Sequence, residues 1–556
     1  MAPDDTQPEA APAEEPASEA LASEESARAA RHITRRRAFH RIFLIVGLAI
    51  LVRMPQVKFP MGHVAGTPAY VGQRWLDGAV PYRDAWDHRA PGLCLLSGTV
   101  VRKLAPVVAY LEQRLLRASL GSIGKRVRVT PGEAAPEACR LAMLVTDLVT
   151  MFLVYMLVHQ WCHRTEAIVA AGVFGFFSGT ILVQGDCIEA GPPMALLVTL
   201  AMLAALRSGG VRWRWIVLSG LAAGLAVCFE ALAVLYVVLL TAWYAATDGV
   251  PEGRTRRRML RPVVLLAAAS MPVAAFVAWF WWHGALGEFW RSAVVFNVLY
   301  RWLPLAPAEP AYHWWVVREL APEQSALWLF AGGWAVHAFS IGFRRETRLI
   351  VLWGIVALLA AMVPARPEAA AFLQTVPPMA IGAALALTNP SEPFLKRSSS
   401  GRIDTRSAML AVLAIGLVSG LVYTEYSIFR VRASRTVLTT NRAVVHVADI
   451  VRDRTMPNHE IYVWGRYPQI YVIADRPAAH RMFYTRPLNI APIVRDYFGE
   501  GIFDDIEQTL LRKKPPYIVS TEEALPGALR PLYDPKPIGD ERLTIFARKD
   551  RAATVP

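Results

Sequence analysis

The chain has 556 residues, of which 54% are apolar and 19% are charged, and its mean hydropathy is +0.31. Ordinary soluble domains carry about 25% charged residues, so this composition argues against a soluble enzyme. The net charge of +14 comes from short basic clusters between apolar runs, which is typical of cytoplasmic loops, and we therefore expect no nucleic-acid partner.

The first 39 residues predict a disordered acidic tail followed by a basic cytoplasmic flank. Residues 1–27 are mostly Ala, Pro and Glu and offer almost no large apolar side chain to bury. The basic stretch RAARHITRRRAFHR then leads directly into the apolar run IFLIVGLAILV, and the acidic leader before it is unlike a signal peptide. Because basic residues mark the cytoplasmic side of membrane helices, we expect a cytoplasmic N-terminus.

Residues 40–424 predict an α-helical polytopic membrane domain with about eleven transmembrane helices. Short basic clusters separate the apolar runs, and placing each cluster on the cytoplasmic side fixes the topology by parity. The predicted spans are 40–58, 138–160, 166–183, 190–206, 215–229, 231–246, 262–282, 324–342, 348–364, 370–388 and 407–424. An odd number of spans places the C-terminal part of the chain outside.

The number of times that the segment 215–246 crosses the membrane determines on which side each later loop lies. This segment lies between two basic clusters, yet one helix of this length reaches only about 48 Å, so we predict two short helices that meet near Glu230. One long span is the alternative. An ionised carboxylate near mid-bilayer costs about 2.5–3.5 kcal/mol, so we expect Glu230 to lie at a polar cavity. Arg53, near the outer end of the first span, is expected to extend to the interface.

Two outer segments, 59–137 and 283–323, are too long to be simple connectors, and their aromatic, charged and Pro-rich sequence suits the membrane interface. After residue 424 the hydropathy falls. An amphipathic helix in NRAVVHVADIVRDR and β-rich runs in EIYVWG, YIVST and LTIFARKD predict a soluble α/β domain over 425–556. Parity places this domain outside the membrane.

The first outer segment carries the polar sequence GHVAGTPAYVGQRWLDGAVPYRDAWDHRAPG just beyond a membrane helix. It brings together Asp77, Asp84, Asp87, His88 and Arg89. Arginine binds phosphate, and carboxylates beside a histidine hold a proton or a metal ion. The alternative is a solvated interfacial loop whose charges pair with one another.

Part of this sequence, GQRWLDGAVPYRDAWDHRAPG, resembles the first periplasmic loop of bacterial GT-C glycosyltransferases, the membrane superfamily that includes protein O-mannosyltransferases and aminoarabinose transferases. HGALGEFWRSAVVFNVLY, FLQTVPP and EIYVWGRYPQIYVIADRPAAHRMFY resemble later parts of these proteins, and the matches together span most of residues 40–550. The resemblance implies a GT-C-like fold in the bacterial inner membrane. It also implies sugar transfer from a polyprenyl-phosphate-linked donor to an acceptor on the outer face.

The chemistry implied by the resemblance needs an acidic base for the acceptor and a cation or divalent metal ion for the departing phosphate. The sequence departs from the family pattern at these positions. Val64 and Ala65 stand where the family has an Asp-Glu pair, so the usual base is missing. Ala370 and Ala371 stand where His-Tyr often precedes FLQ, and Glu230 replaces an expected Lys.

Three carboxylates are therefore candidates for the base: Asp84, Asp87 and Glu189. Asp87 is favoured, because its neighbours His88 and Arg89 would tune its protonation and hold the phosphate.

The donor phosphate is expected between the first outer segment and the loops at 184–189 and 364–369. His88, Arg89 and Arg366 are its predicted ligands. An ion pair of Arg366 with Glu368 is the alternative. The sequence also leaves open whether Cys94 and Cys187 form a disulfide on the outer side.

Three functions stay open at the level of sequence. The first is an active transferase, and the second is a degenerate relative that binds a lipid-linked sugar or a partner without transfer. The third is a lipid-phosphate transporter, which requires no base. The lipid bilayer is a partner in each case, whereas the sugar, the acceptor and any need for a divalent metal ion are left open.

Overall fold

The computed structural model describes residues 43–51, 53–54, 56–57, 59–126, 129–184, 188–209, 211–246, 255–302, 310–341, 344–364, 368–388, 415–416, 418, 422–423, 426, 435–490, 492–521, 525–537 and 543–550. The predicted tail and flank at 1–39 and most of the predicted span 407–424 lie outside the described residues, as does Cys187 of the predicted disulfide.

Helices dominate the chain before residue 389, because its long Leu-, Ala- and Val-rich runs satisfy their backbone hydrogen bonds internally only as helices. The described residues between 43 and 57 are helical. The later helices are α1 (His63–Leu76), α2 (Pro91–Thr99), α3 (Ala105–Arg126), α4 (Ala135–Val158), α5 (Arg164–Phe177), α6 (Ile181–Gln184), α7 (Gly191–Ser208), α8 (Trp213–Val227), α9 (Val234–Ala246), α10 (Thr255–Trp282), α11 (Leu286–Phe289), α12 (Phe296–Trp302), α13 (Pro310–Ile341), α14 (Arg345–Met362) and α15 (Val376–Thr388). Short 3₁₀ or π-helical turns precede α3, α9, α12 and α15.

A helix covers the centre of every predicted span between 138 and 388. The chain is extended at Glu230, with φ of −151° and ψ of 119°, and α8 and α9 therefore form two helices. The predicted break near Glu230 is confirmed, and one continuous helix over 215–246 is wrong. The Glu230 carboxylate accepts a hydrogen bond from the Leu232 amide at 3.5 Å, which caps the turn that leads into α9.

Within the described residues, five helical stretches are long and apolar enough to cross a membrane. They are Pro91–Ser119, Ala135–Val158, Gly191–Ser208, Met259–Trp282 and Ala369–Thr388. Two shorter apolar helices, Trp213–Val227 and Ala231–Ala246, flank Glu230. The stretch Pro91–Ser119 lies in the first outer segment, where the sequence predicts no span. The total of about eleven spans stays a prediction.

Two glycines let α1 and α2 approach each other within the first outer segment. A Cβ on Gly72 would lie 1.8 Å from the Cys94 carbonyl oxygen, and one on Gly98 would lie 2.1 Å from the Gly72 carbonyl carbon. These are backbone atoms, so a side chain at either position requires the helices to separate. This close contact of α1 with α2 fixes the position of α2, which begins directly after the polar residues that end at Arg89.

We expect Gly72→Ala to destabilise the protein by about 1–3 kcal/mol or more, because the added methyl group overpacks a contact between backbones. Thermal unfolding of the purified protein in detergent measures this effect. Gly333→Ala is the matched control, because a Cβ at this helical position meets nothing within 4 Å. An equal unfolding temperature for the two variants would contradict the close crossing.

The C-terminal part is an α/β domain, as predicted. Its helices are α16 (Arg435–Asp453), α17 (Gln469–Ala474), α18 (Arg486–Ile490), α19 (Pro492–Phe498) and α20 (Ile502–Lys513), and its strands are β1 (Tyr462–Trp464), β2 (Tyr517–Ser520), β3 (Tyr533–Pro537) and β4 (Thr544–Arg548). The sheet order is β1-β2-β4-β3. β1 pairs parallel with β2, with Val463 opposite Val519, while β4 is antiparallel to both β2 and β3.

The C-terminal domain packs against α1 of the first outer segment. The Tyr70 ring lies 4.7 Å from the Tyr471 ring and 4.6 Å from the Phe483 ring, between centroids. Its hydroxyl oxygen accepts a hydrogen bond from the Ala478 amide at 2.7 Å. Because the two parts share one apolar core, they must lie on the same side of any membrane that the bundle spans.

Arg53 does not extend to the interface, which corrects the expectation from sequence. Its side chain is 3% exposed, and its guanidinium forms an ion pair of 3.1 Å with Asp147, which is 1% exposed. It also donates to the Gly175 carbonyl oxygen at 2.8 Å and to the Ser178 hydroxyl at 2.6 Å. The bundle thus supplies the polar partners that an isolated helix would have to find at the interface.

Candidate active site

The polar stretch 82–92, called the site loop below, begins with a strained turn at Tyr82. Tyr82 has a φ of 68°, in the left-handed region that residues with a Cβ rarely adopt. Its ring is buried against Phe280 and Phe289, at centroid distances of 5.4 and 5.9 Å. Its hydroxyl donates a hydrogen bond to the Arg89 carbonyl oxygen at 2.8 Å. The buried ring therefore fixes the backbone at Arg89.

Asp87 organises the turn that presents Arg89. One carboxylate oxygen accepts hydrogen bonds from the amides of His88 at 2.8 Å and Arg89 at 3.3 Å. The Arg89 guanidinium lies 3.3 Å from the same oxygen. This is the local turn that Asp commonly forms with its own backbone, and it leaves the Asp87 side chain 1% exposed.

Three other parts of the chain hold the site loop from outside. They are the C-terminal domain, the second outer segment and the break between α8 and α9. The hydrogen bonds run from the Trp86 amide to the Arg481 carbonyl oxygen (2.9 Å), from the Asn297 side-chain amide to the His88 carbonyl oxygen, and from the Gly92 amide to the Cys228 carbonyl oxygen (2.8 Å). Together with the packing of Tyr82 on Phe280 of α10, these contacts anchor the site loop to four distant segments of the chain.

A cavity of about 150 Å³ lies beside the site loop. It collects residues from α1, the site loop, the start of α7, the break before α9, the second outer segment and the turn before α15. Its polar lining residues are His88, Arg89, Glu189, Glu230, Asn297, Glu368 and Gln374. The cavity thus brings together the three loops that the sequence predicts to surround a phosphate.

The charges in this cavity are mixed. Arg89 is the one Arg or Lys among its described lining residues, and three glutamates line the same space. Burial by itself lowers the pKa of Arg89. The negative charges of Asp87, Glu189 and Glu368 raise it by more, so the pKa of Arg89 lies above its usual value. The guanidinium stays protonated and forms a fixed cation in the wall.

The predicted site residues fall into two groups. His88, Arg89 and Glu189 line the cavity. Asp87 lies behind Arg89, outside the described lining. Asp84 precedes Asp87 in the site loop and is not among the lining residues of the cavity. Its carboxylate accepts a hydrogen bond from the Val80 amide at 2.8 Å and forms an ion pair with Arg83 at 2.9 Å. Arg366 lies outside the described residues, although its neighbours Pro364 and Glu368 line the cavity.

All but one of the positions that depart from the GT-C pattern also line this cavity. Val64, Ala370 and Ala371 line it. Ala65 differs, because it is 0% exposed and packs in the core shared with the C-terminal domain. Of the two residues that replace the acidic pair, the structure therefore brings only Val64 to the cavity.

Several polar residues at the site were not singled out from sequence. Asn297 lies within FNVLY, and Gln374 lies within FLQTVPP. The Gln374 side chain accepts a hydrogen bond from the Tyr236 hydroxyl at 2.7 Å and donates one to the Ala371 carbonyl oxygen at 2.9 Å, so its amide is oriented on both sides. Both motifs resemble GT-C segments, so a polar residue within each of them was the sequence feature that could have pointed to the site.

In the part of the chain that the structure describes, no group of three or more His, Cys, Asp or Glu residues is placed to bind a metal ion. The described residues therefore show no metal site, and the divalent metal ion left open from sequence stays untested. The fixed cation that they do provide is Arg89.

Comparisons with known proteins agree with this architecture at the level of the fold. No family model and no curated protein matches the chain. Among solved structures, ArnT from Cupriavidus metallidurans bound to undecaprenyl phosphate is similar, with a TM-score of 0.56 and 14% sequence identity. The similarity covers 91% of this chain and 97% of ArnT.

A second similar structure is the archaeal oligosaccharyltransferase AglB from Archaeoglobus fulgidus in complex with an inhibitory peptide and a dolichol-phosphate. Its TM-score is 0.52 at 12% identity, over 94% of this chain and 75% of AglB. The chain therefore shares the fold of these two proteins, with apolar membrane-length helices followed by a small C-terminal sheet.

Proposed function

We propose that the protein is a membrane glycosyltransferase that moves a sugar from a polyprenyl-phosphate-linked donor to an acceptor on the outer face of the membrane. The observation that carries this proposal is the cavity that Arg89 lines together with Glu189, Glu230 and Glu368, of which Glu189 and Glu368 raise the pKa of Arg89 by their charge. A fixed cation suits a departing phosphate, and a nearby carboxylate suits an acceptor proton. The similar fold of ArnT with undecaprenyl phosphate supports the donor class.

In the proposed reaction, Glu189 accepts the proton of the acceptor nucleophile as that nucleophile attacks the anomeric carbon of the sugar. The bond between this carbon and the phosphate oxygen breaks, and the electron pair stays on the polyprenyl phosphate. Arg89 pairs with the negative charge that develops on this phosphate. His88 lines the same space and is proposed to bind the donor.

We prefer Glu189 to the other carboxylates on geometry. Asp87 is 1% exposed and already accepts hydrogen bonds from the His88 and Arg89 amides and from the Arg89 guanidinium, which suits it to orient Arg89 rather than to reach an acceptor. Asp84 pairs with Arg83 away from the cavity. Glu189 and Glu230 are both half-buried in the wall, but Glu230 already caps a helical turn. Glu189 contributes most, after Asp87, to raising the pKa of Arg89.

The membrane arrangement is part of the proposal. We propose about eleven spans over 40–424 in a bacterial inner membrane, with the N-terminus cytoplasmic and the domain at 425–556 outside. Packing of this domain on α1 supports placing both on one side. A reporter fused after residue 556 should be active only if the reporter functions outside the cytoplasm, and a cytoplasmic signal would contradict the topology.

The test of the function is turnover by purified protein in lipid nanodiscs. Undecaprenyl-phosphate-linked mannose, glucose and aminoarabinose serve as donors, and a bacterial envelope extract serves as acceptor. We expect one donor to release undecaprenyl phosphate, detected by mass spectrometry, only when the extract is present. Undecaprenyl phosphate binding without turnover of any donor would overturn transfer.

A second candidate function is donor binding without transfer. It is favoured by the small apolar residues Val64, Ala370 and Ala371, which line the cavity where GT-C proteins carry polar groups. A substitution at Val64 separates the two functions, because they predict opposite effects of an added carboxylate.

Under the proposed function, Val64→Asp should lower transfer about tenfold. The new carboxylate competes with the phosphate for Arg89, and one unit-charge interaction across about 10 Å at an effective dielectric of about 20 is worth about 1.5 kcal/mol. Val64→Asn is the neutral control and should retain most activity. A gain of transfer in Val64→Asp would instead favour a vestigial site that has lost its base.

A further inference from the structure

The ion pair of Arg53 and Asp147 is joined to both ends of the turn at 178–184, which precedes Glu189. At the first end, the Arg53 guanidinium donates to the Ser178 hydroxyl at 2.6 Å. At the second end, the Gln184 side-chain amide donates to the Asp147 carboxylate at 3.1 Å, on the same oxygen that pairs with Arg53. One buried ion pair therefore spans the whole turn.

Other buried side chains hold the middle of the same turn. Gln56 and Gln324 are 2% and 1% exposed, and Glu323 is 1% exposed. The hydrogen bonds run from the Gln56 amide to the Gly179 carbonyl oxygen (2.9 Å), from the Gln324 amide to the Thr180 hydroxyl (2.9 Å), and from the Leu182 amide to the Glu323 carboxylate (3.3 Å). Such a density of polar contacts inside a helix bundle fixes one backbone path.

A buried ion pair is in general weak evidence for a stabilising role. Two ions lose their hydration on burial, and apolar residues of similar volume often replace a buried pair without loss of stability. Removing one partner alone is costly, because it leaves an unpaired charge. A pair that spans a turn leading to a cavity wall is therefore best explained by the geometry that it enforces.

We propose that Arg53 and Asp147 are positioning residues that hold the 178–184 turn, and through it Glu189, in register with Arg89 across the cavity. Neither residue lines the cavity, so the proposed effect of both on Glu189 is indirect. This inference rests on the proposed function for its catalytic consequence, but its structural part is measurable without turnover.

The experiment uses Arg53→Met, Asp147→Leu and the double variant in the full chain. Each single variant should have a lower unfolding temperature, whereas the double variant should recover it, because no unpaired charge remains. The double variant should still show a kcat reduced about 10- to 100-fold with an unchanged KM for the donor, since a small misplacement of a catalytic group has an effect of this size. Ser219→Ala is the control and should retain kcat, because Ser219 is a buried residue of α8 whose hydroxyl donates to the Ala201 carbonyl oxygen of α7, away from the cavity.

Two outcomes test the proposal independently. In a Glu189→Gln background, the double substitution should cause no further loss of kcat, because both changes act through one group. Hydrogen exchange of the backbone amides at 178–190 should be faster in the double variant and unchanged in Ser219→Ala. Recovery of kcat together with stability, or unchanged exchange at 178–190, would overturn the proposal. Wild-type protein without transfer would overturn the proposed function, and the exchange result would still decide the positioning role.

Discussion

Glu189→Gln is expected to lower kcat about 10²- to 10⁴-fold, with little change in KM for the lipid-linked donor. The amide keeps the size and polarity of the side chain but accepts no proton, so the acceptor loses its base while the cavity keeps its shape. Steady-state transfer in nanodiscs, at varied donor and fixed acceptor, measures both constants.

Two matched carboxylate variants sharpen this prediction. Asp87→Asn should mainly raise KM, because Asp87 orients Arg89, and Asp84→Asn should have little effect, because Asp84 lies outside the cavity. A kcat loss in Asp87→Asn as large as that expected for Glu189→Gln, with Glu189→Gln near wild type, would return the role of base to Asp87.

Arg89→Lys is expected to weaken binding of undecaprenyl phosphate about 10- to 100-fold. A lysine keeps the charge but cannot offer two parallel N–H groups to phosphate, and a charge-assisted hydrogen bond is worth about 1.5–3 kcal/mol. Lysine also leaves a cation beside Asp87, so the buried carboxylate stays paired. Titration of the protein with undecaprenyl phosphate, followed by native mass spectrometry, measures the affinity.

Arg83→Lys is the control for Arg89→Lys. Arg83 belongs to the same loop, but its side chain is 44% exposed and pairs with Asp84. Binding should therefore be unchanged in Arg83→Lys. Unchanged affinity in Arg89→Lys would remove Arg89 from the phosphate site.

The sequence predicts the helical parts of this fold well, because apolar runs and basic clusters alternate along the chain. The break near Glu230 follows from the same reasoning, since the reach of one helix does not fit two basic flanks. The strands around Val463 and Val519 are short and β-branched, which identifies them without any long-range information.

The sequence does not predict which distant residues meet. Nothing in the local sequence of Arg53 indicates an Asp 94 residues away, so extension to the interface was the natural expectation. The orientation of Asp87 was equally hidden. Its neighbours His88 and Arg89 suggest a tuned base, but the carboxylate turns back onto their own amides and leaves Arg89 to face the cavity.

The same limit applies to the cavity wall. Val64 and Ala65 are adjacent in sequence and equivalent by motif, yet one lines the cavity and the other packs under the C-terminal domain. The distinction depends on how α1 docks through Tyr70, which is a contact across 408 residues.

Photocrosslinking tests directly whether the cavity beside Arg89 binds the donor phosphate. A polyprenyl phosphate with a diazirine close to the phosphate is irradiated with the protein in nanodiscs, and the labelled peptides are identified by mass spectrometry. We expect labels in the site loop and around Glu189 and Glu368, which undecaprenyl phosphate in excess competes away. Competable labelling confined to peptides remote from this cavity would show that the phosphate binds elsewhere.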